Sequence, residues 1–287
     1  MIVGRVKEIW RYPVKSMGGE QLARCTAGAR GIPGDRGWAV RDEIVGEIRG
    51  GKKFPVLLRC DARYVDEPGE SGVPPAQITL PDGTHVRSDR SEAAARLSEL
   101  VGRRVTLWPL QPAENVEHYR RGLPDNPDMI AELRDIFGRV GDEPLPDLSG
   151  IPQELFTYTS LPGTYFDVLP LHVLTTASLD ALVAQNPTSR FDQRRFRPNF
   201  LIEPEGAQSG FVELDWCGRT ITVGGASVKV EYPTMRCSMT VQAQGDLPKD
   251  PQVLRTIVRD ADQNVGVYAH VVAPGAVAVG DVVELSD

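Results

Sequence analysis

Hydrophobic and polar residues alternate in many short stretches of this chain, which is the pattern of strands with one buried face. Val228, Val230 and Tyr232 alternate with polar neighbours, and this predicts a strand that stops at Pro233, because proline cannot donate to a sheet ladder. Cys237 would then lie just past a rigid strand end, held in place yet exposed. Further stretches of strand or hairpin character are residues 3–12, 38–40, 78–86, 168–174, 200–202, 220–230, 268–272 and 277–285.

A second pattern, apolar residues at helical spacing, is less frequent. It predicts helices at residues 91–100, 129–140, 176–183 and 251–258. The side chains expected to cap their first turns are Ser91, Asn126, Thr175 or Thr176, and Asp250. Pro127 and Pro251 would each take the first helical position, where a missing amide proton costs nothing.

Many short strands with few helices predict a mixed α+β fold that is mainly β. Residues 1–110 are expected to form an N-terminal β-barrel-like domain, and residues 166–287 a second β-barrel domain with peripheral helices. Residues 111–165 are rich in proline and carry one predicted helix. We interpret them as a helical and irregular insert or linker, which covers a cleft.

Composition and charge exclude several classes of protein. The 287 residues are 41% hydrophobic and carry a net charge of −7, which argues against nonspecific binding of nucleic acid. No run approaches the roughly 18 apolar residues of a membrane span, and the start of the chain lacks a signal-peptide pattern. We therefore expect a cytoplasmic protein whose four separated cysteines are free thiols. The four histidines show no metal-ligand spacing.

The residues that could carry chemistry are three short basic segments and one cysteine. Lys15–Ser16, Asp35–Arg36 and 197–199 each combine a cation with hydrogen-bonding neighbours, a composition suited to phosphate but also common on ordinary surfaces. Arg236 places a positive charge beside Cys237 and favours its thiolate, although most free cysteines are simply small buried hydrophobes. Jointly, these positions predict an anionic cofactor that several segments hold and one thiolate fixes.

The same positions carry a family resemblance. The motifs are YPVKS at 12–16, GDR at 34–36, LTTASL at 174–179, FRPN at 196–199, RC at 236–237 and VGD at 279–281. With these motifs the chain resembles the family in which an N-terminal MOSC β-barrel domain precedes a MOSC domain, a family that includes the mitochondrial amidoxime-reducing component. The resemblance implies a molybdopterin-type molybdenum cofactor whose metal is ligated by Cys237. It implies that the cofactor contacts are Lys15, Ser16 and Arg36 at the phosphate, and Thr176, Ser178, Arg197, Asn199 and Arg236 elsewhere.

The resemblance also implies an activity. We expect a molybdenum-dependent reductase of N-hydroxylated or N-oxide compounds, with Cys237 at the catalytic metal. Electrons would come from a separate protein, such as a ferredoxin, a flavin reductase or a cytochrome b5-like carrier. The alternatives are a cofactor or sulfur carrier that uses Cys237 without turnover, and a binding domain without metal. One departure concerns the substrate side, where Gln242 stands in place of the Asp that often follows the motif cysteine.

Overall fold

The computed structural model describes residues 1–69 and 72–286. Its strands are β1 (Ile2–Arg11), β2 (Glu20–Leu22), β3 (Arg24–Ala27), β4 (Trp38–Asp42), β5 (Glu47–Ile48), β6 (Asp61–Tyr64), β7 (Ala76–Thr79), β8 (His85–Arg87), β9 (Val105–Pro109), β10 (Leu171–Thr175), β11 (Phe200–Pro204), β12 (Thr220–Val223), β13 (Ala226–Met235), β14 (Asn264–Ala273), β15 (Gly275–Ala278) and β16 (Val282–Leu285). Its α-helices are α1 (Ser91–Val101), α2 (Val116–Tyr119), α3 (Met129–Phe137), α4 (Glu154–Thr157), α5 (Thr176–Gln185) and α6 (Pro251–Asp260). Short 3-10 helices are Pro55–Arg59, Gln193–Arg195, Val212–Trp216 and Ser238–Val241. The mixed, mainly β fold predicted from the sequence is confirmed.

Seven strands close into a barrel, in the order β11, β10, β14, β13, β12, β16 and β1, with β1 pairing back onto β11. Only the β10–β11 pair is parallel among these seven contacts. Buried apolar side chains from every strand fill the interior, for example Ile9, Val173 and Val267. The barrel therefore combines the start of the chain with its second half, since β1 lies between β16 and β11.

A second body is built from residues between β1 and β9. It contains two three-stranded sheets, β5-β4-β9 and β6-β7-β8, with α1 packed beside them. Its separate core includes Met17, Leu57, Ile78 and Leu97, none of which is exposed. The two bodies meet where the chain leaves β1 at Tyr12 and where the 196–199 segment turns back toward it, and this junction carries the site described below.

Residues 111–165 connect the two bodies with short helices and irregular loops. The predicted helix in this segment is confirmed as α3, and the segment between residues 142 and 152 has neither helix nor strand. Side chains from α3 and from both flanking loops line a cavity, as expected for a segment that covers a cleft. The domain boundaries at residues 110 and 165 stay a prediction.

Several local predictions were wrong in detail. The strand that carries Val230 does not stop at Pro233 but runs to Met235, because shifts in register on both sides of Pro233 form bulges that tolerate the missing donor. The α1 cap is Arg90 rather than Ser91, and the α3 cap is Asp128 rather than Asn126, since the Asp128 carboxylate accepts from Ile130 at 2.9 Å. The caps at Thr175 and Asp250 are confirmed.

Within the part of the chain that the structure describes, every helix is too short or too polar to cross a membrane.

Candidate functional site

A cavity of about 430 Å³ lies between the barrel, the second body and the connecting segment. One end of it, here called the cationic end, is formed by Arg36, Arg197 and Arg236 together with Cys237. A second group of lining side chains, here called the apolar wall, belongs to the connecting segment. Its residues are Leu123, Met129, Leu133, Ile136 and Phe156.

Cys237 is held at the rim between a strand and a turn. It lies two residues past β13 and precedes the 3-10 helix Ser238–Val241, and its carbonyl accepts from the Thr240 amide at 3.2 Å and from the Thr240 hydroxyl at 3.0 Å. Its side chain is half-buried and lines the cavity. The backbone is therefore fixed on both sides of a thiol that a ligand in the cavity can reach.

Arg236 is buried beside this thiol, and its hydrogen bonds go elsewhere. The guanidinium donates to the Val265 carbonyl at 2.8 Å, to the Phe196 carbonyl at 3.2 Å and to His172 Nε2 at 2.5 Å. Burial lowers the pKa of Arg236 to about 10, against the opposing charges of Tyr268 and Cys237. Arg236 thus supplies positive charge next to Cys237 while its position is set by three fixed acceptors.

His172, which accepts one of these hydrogen bonds from Arg236, is uncharged. Burial, followed by the charge of Arg236, lowers the pKa of His172 well below its ordinary value of 6.5. Because an arginine can only donate, Nε2 must be the accepting nitrogen and the proton must lie on Nδ1. A neutral imidazole therefore lines the cavity behind the cationic end.

Arg36 and Arg197 come from different halves of the chain and meet on one aromatic ring. Their guanidinium carbons lie 4.6 Å and 4.2 Å from the centre of the Tyr12 ring, an arrangement in which the ring face stabilises cations. Burial, and then the charge of Arg36, lowers the pKa of Arg197 to about 10. Two like charges are thus held close together, and the carboxylate of Asp35, which is paired with Arg36, balances only one of them.

The backbone is strained in each of the three basic segments. Ser16, Arg36 and Arg197 have φ values of 67°, 50° and 57°, in the left-handed region that residues other than glycine rarely adopt. Such strain concentrates at binding sites, where the surrounding structure holds it in place. Here a buried carboxylate contributes, since Asp35 accepts from the Tyr12 amide at 2.8 Å, from Asn199 Nδ2 at 3.0 Å and from Arg36.

Lys15 reaches the cavity through a carboxylate. Its ammonium donates to Asp167 at 2.7 Å and to the Tyr165 carbonyl at 2.7 Å. Burial opposes ionisation of Asp167, but Lys15 and Lys52 outweigh it and hold the pKa of that carboxyl below its usual value. The Asp167 side chain is 51% exposed and lines the cavity, so a ligand meets this carboxylate before it meets Lys15.

Two buried polar atoms on the cavity lining have no partner among the described residues. They are one terminal nitrogen of Arg197, on a residue 8% exposed, and the hydroxyl of Thr234, on a residue 2% exposed. An unpaired buried donor usually costs about 1–3 kcal/mol, and more when it is charged. Both atoms would be satisfied by an acceptor-rich anion, so the donor set fits the phosphate and ring edges of a molybdopterin-type cofactor.

The structure brings some of the predicted contact residues together and leaves others apart. Arg36, Arg197, Asn199, Arg236 and Cys237 all line the cavity. Lys15 and Ser16 are buried and are not part of the lining, but Lys15 contacts it through its bond to Asp167.

Thr176 and Ser178 lie away from the cavity, on the first turn of α5. The Ser178 hydroxyl donates to the buried Glu213 carboxylate at 2.6 Å, and Glu213 in turn accepts from the Gly266 amide at 3.2 Å. The Ser178 hydroxyl is therefore bound within the protein, at a distance from the cavity. The cofactor contacts of Thr176 and Ser178 stay predictions.

Most residues of the lining were not predicted from the sequence, and four of them are polar side chains close to the predicted ones. They are His172, Asp167, Thr234 and Tyr268, and of these the sequence indicates for His172 only that it has no metal-ligand spacing. A signal existed for His172, since it is a polar side chain within the otherwise apolar run 168–174. Asp167 carries no such signal, because its role depends on Lys15, which lies 152 positions away in the chain.

The other three cysteines differ from Cys237 in their surroundings. Burial raises the pKa of Cys25 and of Cys60 to about 12, and that of Cys217 to about 11, so all three are protonated near neutral pH. Cys25 and Cys217 pack against the barrel core, and Cys60 belongs to the core of the second body. Over residues 1–69 and 72–286, no three or more Cys, His, Asp or Glu side chains form a group that could hold a metal ion.

Comparisons with known proteins identify two domains. A family model for the MOSC N-terminal beta barrel domain matches residues 3–103, and one for the MOSC domain matches residues 160–284. No curated protein matches the chain at a significant level.

Three solved structures are similar to the chain over its whole length or part of it. The YUAD protein of Bacillus subtilis has 12% identity and a TM-score of 0.45, with 99% of this chain and 96% of that chain covered. YiiM from Geobacillus stearothermophilus and YiiM from Escherichia coli have 18% and 17% identity, TM-scores of 0.31, and cover 41% of this chain and 54% of theirs. These scores carry no structural argument, so the assignment rests on the two family matches.

MOSC domains are associated with proteins that bind the molybdenum cofactor. Together the two matches span most of the chain; the first covers β1 of the barrel and most of the second body, and the second covers the other strands of the barrel. The chain therefore belongs to the MOSC-domain proteins, with a MOSC N-terminal β-barrel domain ahead of its MOSC domain.

Proposed function

We propose that this protein is a molybdenum-cofactor-dependent reductase of N-hydroxylated or N-oxide compounds. The observation that carries the proposal is the unpaired, buried Arg197 nitrogen in a cavity that also presents Cys237. An anionic cofactor would satisfy the unpaired donor. The thiol of Cys237 would supply one soft ligand to the metal that this cofactor carries.

The residues of the cationic end would hold the cofactor by charge. Arg36 and Arg197 face its phosphate, and Lys15 and Ser16 support that position from behind the lining. Charge-assisted hydrogen bonds of this kind contribute on the order of 1.5–3 kcal/mol each. The Thr234 hydroxyl and the Arg236 guanidinium lie on the strand end that leads to Cys237, so they would orient the part of the ligand nearest the thiol.

When bound, such a cofactor supplies a metal centre that accepts the oxygen of an N–O bond. Reduction of an N-hydroxyl group to an N–H group consumes two electrons and two protons and releases water. The electrons would come from a separate carrier protein of the ferredoxin, flavin-reductase or cytochrome b5-like type. Burial raises the pKa of Tyr268, so this lining side chain stays protonated at neutral pH and would be able to donate a hydrogen bond to a bound ligand.

The test compares protein from a host that makes the molybdenum cofactor with protein from a host that does not. Molybdenum and released pterin are measured on both preparations. Turnover of an N-hydroxylated test compound is followed with an artificial electron donor. We expect near-stoichiometric molybdenum and turnover in the first preparation only.

The other outcomes separate the alternatives. Molybdenum without turnover would indicate a cofactor carrier, and a persulfide on Cys237 without molybdenum would indicate a sulfur carrier. Stoichiometric zinc or iron with no molybdenum would overturn the proposal.

A further inference from the structure

The apolar wall is a continuous face of the connecting segment. Met129, Leu133 and Ile136 lie at positions i, i+4 and i+7 of α3, so they share one side of the helix. Leu123, in the loop before α3, and Phe156, in α4, add to this apolar lining, and their side chains are 86% and 59% exposed. Apolar side chains this exposed on the lining of a cavity offer a surface that a bound molecule can cover.

The wall lies next to Cys237 at the C-terminal end of α3. The Ser238 hydroxyl, one residue after Cys237, donates to the Ile136 carbonyl at 2.9 Å. Arg139, just past α3, donates to the Arg236 carbonyl at 3.3 Å and to Gln263 Oε1 at 2.8 Å. These bonds fix the end of α3 against the Cys237 loop, so a molecule that reaches the thiol also contacts the wall.

The five side chains of the wall carry no charge. The acidic residues near it, Asp125 and Glu132, are paired with Arg49 and Lys53 of the second body at 2.5–2.8 Å. The cationic end, by contrast, has an excess of positive charge. The two sides of the cavity therefore select for different parts of a ligand.

We propose that the apolar wall binds the hydrophobic body of the substrate, while its polar N–O head points toward Cys237. The substrates are then N-oxygenated compounds that carry an uncharged alkyl or aryl group. This inference rests on the proposed function and adds the substrate class and the residues that select it.

Affinity should therefore follow the apolar surface that the substrate buries. Each methylene placed on the wall is expected to tighten binding about fourfold, which corresponds to about 0.8 kcal/mol. Because the body is bound equally in the ground state and the transition state, KM should fall along a homologous series while kcat stays constant.

The experiment uses a series of straight-chain amidoximes from acetamidoxime to hexanamidoxime. Dissociation constants are measured by ligand-observed NMR on cofactor-loaded protein without any reductant, so that no turnover is needed. KM and kcat are then measured for the same compounds with an artificial electron donor. The expected result is a steady fall in both Kd and KM with chain length.

Two neighbouring residues of α3 provide a matched pair of variants. Met129 and Ile130 are each 57% exposed, but only Met129 lines the cavity. Met129→Ser should weaken hexanamidoxime about three- to tenfold and leave acetamidoxime unchanged. Ile130→Ser should leave both ligands unchanged. Leu133→Ser repeats the test one turn further along, with thermal melting to confirm that the variant is folded.

The outcomes separate this inference from the proposed function. A dependence of Kd on chain length that Met129→Ser reduces, in protein without turnover, would support the wall and contradict the reductase. Turnover with no dependence on chain length would support the reductase and overturn the wall. Equal losses in Met129→Ser and Ile130→Ser would also overturn it, because the effect would then not come from the cavity.

Discussion

The two sides of the cavity are built in different ways. The cationic end combines side chains from β-strand ends and tight turns of both bodies, and each guanidinium is fixed by carbonyls, a carboxylate or an aromatic ring. The apolar wall comes from one connecting segment, and its side chains are fixed mainly by helix geometry and by ion pairs at the edge. One side is rigid and specific, while the other is adaptable.

This difference assigns separate tasks to the two sides. A buried cation without its acceptor is costly, so the cationic end accepts only a ligand that supplies the right acceptors in the right places. An apolar surface requires only contact and area, so the wall accepts any hydrophobic group of suitable size. The cofactor is therefore expected to be invariant, whereas the substrate is defined by class.

The largest expected effect comes from Cys237→Ser. A serine hydroxyl is hardly ionised at neutral pH and is a hard donor, so the metal of the proposed cofactor would lose its protein sulfur ligand. Turnover should fall more than about 100-fold, because changes to residues that merely support a metal ligand already cost 10- to 100-fold. Activity with an artificial donor and the visible absorption spectrum measure this effect.

The same variant sharpens the comparison between the two sides. The dependence of amidoxime affinity on chain length should survive in Cys237→Ser, because the wall is untouched. Cys217→Ala is the control, since that thiol packs against the barrel core and should leave turnover in place. Wild-type turnover in Cys237→Ser would rule out thiolate ligation.

Cofactor retention should depend on Arg197 more than on its neighbour in the basic cluster. Arg197→Met removes the buried donors that face the cavity, and occupancy of the cofactor after dialysis should fall about 10- to 100-fold. Arg194→Met is the matched control, because Arg194 pairs with Asp192 and Asp246 and lies outside the cavity. Equal molybdenum content in the two variants would mean that the anion binds elsewhere.

The His172–Arg236 pair predicts a pH dependence of stability. The pKa of His172 is depressed in the folded state, so the unfolded chain binds the extra proton as the pH falls below 6.5. The contribution of His172 is therefore fully present above pH 6.5 and is lost at lower pH, with a slope that approaches about 1.36 kcal/mol per pH unit.

The variant His172→Gln isolates this contribution, since its amide oxygen can still accept from Arg236. Urea unfolding of cofactor-free protein between about pH 5 and pH 7 should show a shallower acid dependence in the variant. The pKa of His118 is also lowered by burial, and this second histidine keeps part of the slope in both proteins. Identical slopes would contradict the neutral His172.

The sequence predicts the cationic end far better than the wall, and the reason is chemical. Arg36, Arg197, Arg236 and Cys237 have ordinary explanations when each is taken alone, but they stand out jointly because they fall on the motifs of one family resemblance. Met129, Leu133 and Ile136 predict a helix but give no sign that its apolar face borders a cavity rather than a core.

Long-range pairing sets a second limit on prediction. The alternating pattern of residues 3–12 predicts β1 well, but nothing local indicates that it pairs with β11 and β16 at the other end of the chain. Pro233 shows the same limit, because a bulge in β13 depends on its partner β14. Ser178 carries a family motif, yet its hydroxyl is bound to Glu213, which no pattern near Ser178 reveals.

The smallest expected effect concerns the ion pairs that hold the wall in place. Asp125 accepts from Arg49 at 2.7 Å and approaches Lys53 at 2.8 Å, and it lies between Leu123 and Met129 in the chain. Asp125 is 44% exposed, and such pairs usually contribute no more than about 1 kcal/mol.

Asp125→Asn should therefore raise amide exchange over residues 121–137 and weaken the binding of hexanamidoxime less than about threefold. Asp147→Asn is the control, because that exposed carboxylate accepts from the nearby Ser149 amide and has no ion pair with any residue that the structure describes. The difference between the two variants should shrink from about 0.02 M to 0.5 M salt, where screening weakens the wild-type pairs as well. A difference that is independent of salt would mean that the wall is positioned by packing and that these ion pairs do not hold it.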